Sequence, residues 1–163
     1  MALPNWVSQG TVVATAASAA PGYPSSFAAA DLILYILQTN GSAATTPAGF
    51  SALGTIATGG GMSTIVFGKT AAGGETGNPS STITGGTKGV AYMVAYRSGG
   101  TGGLAASIYR TGLDTDTSSV AFSATASSWT PAVDDRLVAA TIMLAAAAGT
   151  FSASSTGASL TSA

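Results

Sequence analysis

The chain has 163 residues, 46% of them hydrophobic, and a formal net charge of −1. Only 7% of its residues are charged, and it contains no histidine and no cysteine. This composition excludes disulfides and thiolate metal sites, removes the side chain that most often transfers protons near neutral pH, and leaves no basic surface for nucleic acid.

The first third of the chain contains two predicted strands. Residues 9–17 include Thr11-Val12-Val13 and predict a strand, and Pro21-Gly22-Tyr23-Pro24 predicts the turn that follows. The six apolar residues 32–37 follow Asp31 and favour a strand buried on both faces, with a short helix as the alternative. Asn40-Gly41, a pair typical of β-turns, favours the strand because it ends the run.

Four more strands are predicted before residue 100. Residues 51–57 and 62–70 lie on either side of the glycine turn 59–61. Residues 82–84 and 89–97 are predicted to form the next pair. The last of these strands has large apolar residues at every second position, the clearest alternation in the chain: Val90, Tyr92, Val94 and Tyr96.

Three further strands are predicted at residues 106–110, 118–126 and 137–144, and a helical turn is arguable only at residues 145–148. Many short strands between Gly, Pro and Asn turns predict an all-β fold, an antiparallel β-sandwich of jelly-roll-like form. We expect a single domain over residues 1–148. Residues 149–163 are predicted to be a small-residue tail or the start of a further strand.

Two features bear on targeting. The N-terminus lacks the basic and apolar regions of a signal peptide. The longest strongly apolar stretch, residues 137–148, is shorter than the ~20 residues that a membrane helix needs. We therefore expect a soluble protein without a membrane partner.

The acidic residues offer two weak candidate sites. Asp114 and Asp116 are spaced like the start of a calcium loop, but no closing acid follows, so a solvated turn is favoured. Asp134-Asp135 could form half of a glycosidase pair with Glu75 or Asp31, yet adjacent acids before a strand more often cap a turn. We predict no catalytic, metal or cofactor-binding residues, and no enzyme activity.

The glycine clusters and the aromatic residues have structural explanations. The glycine clusters lack the Lys-Ser/Thr of a phosphate loop and are better explained as turns. Tyr92 and Tyr96 share a face by period two, and packing in a core or interface is favoured over sugar stacking for the aromatic residues. Trp6, near the terminus, is predicted to anchor the chain in a neighbouring subunit. The other aromatic residues weighed were Tyr23, Tyr35, Tyr109 and Trp129.

The order of segments resembles a family of tailed-bacteriophage virion proteins. The similarity lies in Met1-Ala-Leu-Pro with Ser8-Gln9-Gly10-Thr11, in Ala30-Asp31-Leu32-Ile33-Leu34 and in Thr46-Pro47-Ala48-Gly49-Phe50. It continues through Ile65-Val66-Phe67-Gly68-Lys69-Thr70-Ala71 with Glu75, Ala91 to Arg97 with Ser98-Gly99, and Asp134 to Val138. The resemblance implies a β-rich structural protein of the particle and brings no catalytic residues. Relatives typically continue into further strands beyond this chain's last residues, and a neighbour could complete an edge left exposed.

These observations together predict a structural component of a bacteriophage particle, at the virion surface. The leading hypothesis is a capsid decoration or cement protein that binds the major capsid protein or other virion proteins, as a homo-oligomer such as a trimer. A tail or fibre protein, or a carbohydrate-binding surface module, is the alternative. Nucleic acid is not expected as a partner.

Overall fold

The computed structural model describes residues 4–15, 17–58, 62–99 and residue 104. Within those residues the chain is all-β, with no helix and hence none that could cross a membrane. Its strands are β1 (Asn5–Gln9), β2 (Val13–Thr15), β3 (Ser18–Ala19), β4 (Leu32–Thr39), β5 (Ala43–Ala44), β6 (Ser51–Thr58), β7 (Met62–Thr70), β8 (Ser81–Thr84) and β9 (Gly89–Arg97).

Six of the strands form one large antiparallel sheet. Its order is β1-β9-β4-β7-β6, with β2 pairing β9 farther along the same side as β1. All eight residues of β4 pair with both β7 and β9, so β4 is the centre of the sheet. A second antiparallel sheet, in the order β3-β8-β5, packs against one face of the large sheet. The predicted antiparallel β-sandwich class is confirmed.

We call the face of the large sheet toward the small sheet the inner face. Tyr35 lies at its centre, fully buried, and its hydroxyl donates to the Ala19 carbonyl of the small sheet at 2.8 Å. The Tyr35 ring makes edge-on contacts with Phe50 and Phe67, with centroids 5.8 and 5.6 Å away. Such aromatic pairs stabilise a core beyond the area they bury.

The opposite side, which we call the outer face, carries a second apolar cluster. Period-two alternation along a strand sends odd-numbered residues of β4 and β9 to the inner face and even-numbered residues to the outer face. Both strands are therefore buried on both sides, as predicted for residues 32–37. The outer cluster has Leu34, Ile36, Tyr92 and Val94 at its centre, surrounded by Leu32, Leu53, Val66 and Tyr96.

Several sequence-based expectations need correction. The strand predicted at residues 9–17 is interrupted, because Gly10 to Val12 link β1 to β2. Residues 82–84 and 89–97 do not pair with each other: β8 pairs β3 and β5, whereas β9 pairs β1, β2 and β4. Strand length accounts for the difference, since the nine-residue β9 is long enough to pair along all of β4 and the four-residue β8 is not.

Asn40-Gly41 ends β4, but it does not turn the chain into a neighbouring hairpin strand. The Asn40 side-chain oxygen instead accepts hydrogen bonds from the backbone N–H groups of Thr87 and Lys88, both at 2.9 Å. Its amide also donates to the Thr87 hydroxyl. Asn40 thus fixes the loop that leads into β9. The strands predicted at 106–110, 118–126 and 137–144, the helical turn at 145–148 and the tail at 149–163 lie outside the described residues.

Candidate interaction surface

One side of the large sheet ends in β1 and β2, which together form what we call the β1–β2 edge. Both strands pair with β9, and within the described part of the chain neither has a second partner strand. Gly10 continues the pairing between them, since its N–H donates to the Met93 carbonyl at 2.8 Å. The Gly22 backbone lies so close to Gly10 that no side chain would fit there. The edge is therefore held firmly against the sheet.

The β1–β2 edge carries the exposed large apolar side chains of the described residues. Trp6 on β1 is 57% exposed, and Val12, beside β2, is 43% exposed. Trp6 lies directly opposite Tyr96 in the register, so it points to the outer-face side at the corner of the sheet. Alternation along β1 packs Val7 into the inner core while Trp6 stays outside, and an irregularity between Trp6 and Ser8 pairs the buried Ser8 with the inner-face residue Ala95.

An exposed tryptophan on a strand edge is a typical contact residue. Unpaired backbone N–H and C=O groups on an edge can accept a strand from another chain. Tryptophan is enriched among the few residues that dominate binding energy at interfaces. The exposure of Trp6 agrees with the prediction that it contacts a neighbouring subunit. The neighbouring subunit itself stays a prediction.

The described charged residues are largely tied to one another. Arg97 donates from Nε and Nη2 to the two carboxylate oxygens of Asp31, both at 2.8 Å, at the end of the inner face. Asp31 is 1% exposed, and it also accepts from the Ala28 N–H at 2.8 Å. The hydrogen bond from Arg97 is the main reason that the pKa of Asp31 lies below its ordinary value, against the opposing effect of burial.

The turn before β4 is shaped by the same carboxylate. Ala30 adopts a left-handed backbone conformation with φ of 69°, which costs an alanine roughly 1 kcal/mol. The Ala30 N–H donates to the Ala71 carbonyl, and the Ala71 N–H donates to the Asp31 carbonyl. The Asp31 carboxylate adds to these backbone bonds by accepting from the Ala28 N–H, and so helps to hold the turn.

A second ion pair joins Lys69 on β7 to Glu75 in the following loop, with Nζ and Oε1 3.1 Å apart. The Lys69 ammonium also lies over the rings of Tyr23 and Phe50, at 5.6 and 5.9 Å from their centroids. Burial acts to lower the pKa of Lys69, but the contacts with Glu75 and Tyr23 outweigh it and the pKa is raised. Lys69 thus joins β7 to the loops that carry Glu75, Tyr23 and Phe50 at the edge of the inner core.

The Glu75 carboxylate has its own backbone partners. It accepts from the N–H groups of Ala72 and Gly73 at 2.7 and 2.9 Å. Burial would raise its pKa, yet the hydrogen bonds from the backbone of Ala72 and of Glu75 itself, together with Lys69, bring the pKa below the ordinary value.

The arrangement of Asp31 and Glu75 does not suit acid catalysis. A general acid needs a carboxyl whose pKa is raised, and both carboxylates have theirs lowered by partners that occupy their oxygens. The other acids considered, Asp114, Asp116, Asp134 and Asp135, lie outside the described residues, as do Tyr109 and Trp129. No cluster of potential metal ligands occurs within the described ranges.

The remaining aromatic residues are occupied by packing. Tyr92 is 4% exposed on the outer face, and burial raises its pKa to about 12, with the neighbouring Tyr96 adding to the effect. Tyr23 packs against Phe27 and Phe50 beside the inner core. The prediction that Tyr92 and Tyr96 share a face is confirmed.

Glycines in the predicted turns have the backbone that turns require. Gly73 and Gly74 follow β7 with φ near +85°, and Gly85 follows β8 with φ of 67°. L-residues rarely adopt these values, so Gly73, Gly74 and Gly85 lie in turns as predicted. The glycine turn predicted at 59–61 lies outside the described residues.

Comparison with protein-family models, curated proteins and solved structures finds no match for this chain.

Proposed function

We propose that this chain is a structural protein of an assembled particle, and specifically a decoration protein on a bacteriophage capsid. The observation that carries the proposal is the β1–β2 edge, where Trp6 is 57% exposed on a strand with one described partner. The resemblance of the sequence to virion proteins supplies the type of particle.

The chemistry of the described residues supports a role in binding rather than in catalysis. The chain has no histidine or cysteine, and four of the five described charged side chains are taken up in the Asp31–Arg97 and Lys69–Glu75 pairs. A net charge of −1 gives little electrostatic repulsion between copies, which favours close packing on a lattice.

The mechanism follows from repetition. Each copy would place its β1–β2 edge, with Trp6 at the corner, against a neighbouring subunit of the particle. One such contact is small, but copies that also touch each other bind with a high effective concentration. Many weak contacts then hold the shell together without a strong single site.

The test compares the unaltered chain with Trp6→Ser on particles that lack the protein. Purified full-length chain is added back, and bound copies are counted by quantitative mass spectrometry. We expect a copy number comparable to that of the shell subunit. Trp6→Ser should weaken binding by at least about tenfold, as for a central interface tryptophan.

The control is Thr82→Ala, on the exposed side of β8 in the small sheet, which should bind as the unaltered chain does. Trp6→Ser should also leave the free energy of unfolding within about 0.5 kcal/mol, since the side chain is exposed. A handful of copies per particle would instead indicate a tail or fibre protein. Binding to glycans but not to particles would indicate a carbohydrate-binding module.

A further inference from the structure

The pair Asn40-Gly41 is chemically reactive as well as structural. The chain has three asparagines, and Asn40 is the one that glycine follows. In such a pair the backbone nitrogen of the glycine can attack Cγ of the asparagine and expel ammonia, which closes a succinimide ring. Water then opens the ring to aspartate or isoaspartate. Glycine favours this deamidation because it has no side chain to hinder the approach and leaves its backbone free to rotate.

Packing requires the glycine of this pair. Gly41 is buried, and a Cβ atom there would lie 2.5 Å from Ile83 Cγ2 and 2.8 Å from the Thr84 carbonyl oxygen. Atoms in contact are normally about 3.5–4.0 Å apart, so no side chain fits without a shift of the backbone. A larger residue at position 41 would slow deamidation but would not fit. Protection against the reaction must therefore come from the way in which the pair is held.

The attacking nitrogen is held by the residue before Asn40. The Gly41 N–H donates to the Thr39 hydroxyl oxygen at 2.9 Å. Thr39 is fully buried, and its hydroxyl donates in turn to the Lys88 carbonyl at 2.8 Å. The nitrogen must lose its proton before it can attack Cγ. Because that proton is directed at a buried hydroxyl, it is shielded from the hydroxide in water that would remove it.

The amide that would be attacked is held by residues 85–88, which we call the β8–β9 loop. The Asn40 side-chain oxygen accepts from the N–H groups of Thr87 and Lys88, and its nitrogen donates to the Thr87 hydroxyl, all at 2.9 Å. The Asn40 N–H also donates to the Lys88 carbonyl at 3.2 Å. The amide is thus directed at the β8–β9 loop, and turning it toward Gly41 would break its three side-chain bonds.

One part of this arrangement would act in the opposite direction. Two N–H groups that donate to one carbonyl oxygen are the arrangement of an oxyanion hole, which stabilises the negative charge that forms on the oxygen during an attack. That stabilisation helps only if the nucleophile can reach the carbon. Since Thr39 holds the Gly41 N–H and the amide is turned toward the β8–β9 loop, protection should be the stronger effect.

We propose that Asn40-Gly41 is a deamidation site that the native β8–β9 loop keeps unreactive, so that the modification follows opening of this loop. The reaction consumes one water and releases one ammonia. An aspartate product still offers oxygens to the N–H groups of Thr87 and Lys88, whereas isoaspartate adds a carbon to the backbone beside the tightly packed Gly41. The proposal does not depend on the phage role, since it concerns this loop alone.

The test follows deamidation of the full-length chain in mildly alkaline buffer, with and without urea. Peptide mass spectrometry measures the mass gain of the peptide that contains Asn40. Asn78 is the internal control, because the nitrogen of the proline that follows it carries no hydrogen and cannot close the ring in this way. We expect Asn40 to react at least about tenfold more slowly in the folded chain than in urea, because the reaction waits for local opening.

Two variants remove single bonds that hold the pair. Thr39→Val removes the acceptor of the Gly41 N–H, and Thr87→Ala removes the acceptor of the Asn40 amide. Each should speed deamidation of the folded chain by about threefold or more, as expected for the loss of one hydrogen bond. Thr84→Ala is the matched control for Thr87→Ala, since Thr84 is also exposed and lies just before the β8–β9 loop, and it should leave the rate unchanged.

Leu37→Ala separates opening of the β8–β9 loop from unfolding of the whole chain. Leu37 is fully buried in the inner core and has no part in the bonds around Asn40. Its substitution should therefore lower the stability of the fold more than Thr87→Ala does, yet speed deamidation less.

Other outcomes would overturn the proposal. Equal rates with and without urea would mean that the loop gives no protection, and a faster reaction in the folded chain would mean that the two N–H groups promote the attack. A larger acceleration by Leu37→Ala than by Thr87→Ala would assign the protection to the fold as a whole. No acceleration by either threonine variant would exclude their hydroxyls as its cause. Thr87→Ala, at an exposed position, carries the test if Thr39→Val does not fold.

Discussion

The inner and outer faces of the large sheet are built from the same strands in different ways. On the inner face, two large side chains of β4 stand opposite small ones on β9, since Ile33 faces Ala95 and Leu37 faces Ala91, on either side of the pair Tyr35 and Met93. On the outer face, large faces large, with Leu34 opposite Val94 and Ile36 opposite Tyr92. The inner face thus leaves space beside β4, whereas the outer face is filled evenly.

The inner face makes contacts that depend on direction, namely a hydrogen bond and edge-on ring contacts. The Tyr35 ring, flanked by Phe50 and Phe67, reaches the small sheet and donates to Ala19. The outer cluster is purely apolar, apart from its tyrosine hydroxyls, and its attraction depends mainly on buried area. The inner face therefore specifies one partner sheet in one position, whereas the described outer cluster depends on apolar burial.

The largest effects should come from one leucine on each face of β4. Leu37→Ala on the inner face should lower the free energy of unfolding by about 3–4 kcal/mol, because Leu37 is fully buried in the inner core and its loss leaves a cavity there. Leu34→Ala on the outer face should lower it by about 2–3 kcal/mol, since Leu34 is slightly more exposed than the fully buried Leu37. Urea unfolding followed by circular dichroism measures both. A loss below about 1 kcal/mol for Leu34→Ala would contradict the burial of this side chain on the outer face.

The sequence predicted the strands of this comparison well. β4, β6, β7 and β9 agree with the predicted ranges to within about two residues, because each has a β-branched or apolar run between Gly, Asn or Pro turns. Burial of β9 on both faces was not foreseen. The period-two pattern places Ala91, Met93 and Ala95 between the larger residues, and small residues gave no indication that their face was buried as well.

The short strands and the ion pairs lay beyond what local pattern can predict. β1 has the sequence Asn-Trp-Val-Ser-Gln, without an apolar run, and β3 and β5 have two residues each. Their pairing depends on the large sheet. Asp31 and Arg97 are 66 positions apart, and only the pairing of β4 with β9 brings them together.

Trp6 could be predicted as a contact residue because a large aromatic residue near a terminus has few core positions available.

The ion pair of Asp31 and Arg97 at the end of the inner face should give the next largest effect on stability. Asp31→Ala should destabilise the chain by about 2 kcal/mol at neutral pH, because it removes the acceptor of Arg97 and of the Ala28 N–H. Asp31→Asn is the control, since it keeps an acceptor for Ala28 and should cost less.

The Asp31–Arg97 ion pair should also make the stability of the fold depend on pH. The folded-state pKa of Asp31 is lowered, so its contribution is present above the ordinary aspartate value of about 3.9 and is lost as the pH falls through the still lower folded value. The unfolding midpoints of Asp31→Ala and the unaltered chain should therefore converge in strong acid. Parallel curves from neutral pH down to about pH 2 would contradict a charged Asp31 as the source of the effect.

The smallest effect comes from titrating one tyrosine on each face. Burial raises the pKa of both Tyr35 and Tyr92 above the ordinary value of about 10, so the stability each contributes is complete below that pH and falls as the pH rises toward the folded value. Between pH 9 and 11, the raised pKa of each tyrosine should lower the free energy of unfolding by roughly 1 kcal/mol. Tyr35→Phe and Tyr92→Phe should each remove one of these two contributions to the fall in stability with pH. Urea midpoints across this range measure the slopes. If only Tyr35→Phe flattens the slope, Tyr92 ionises freely and water reaches the outer face. If both variants do so equally, the outer face is as dry as the inner one.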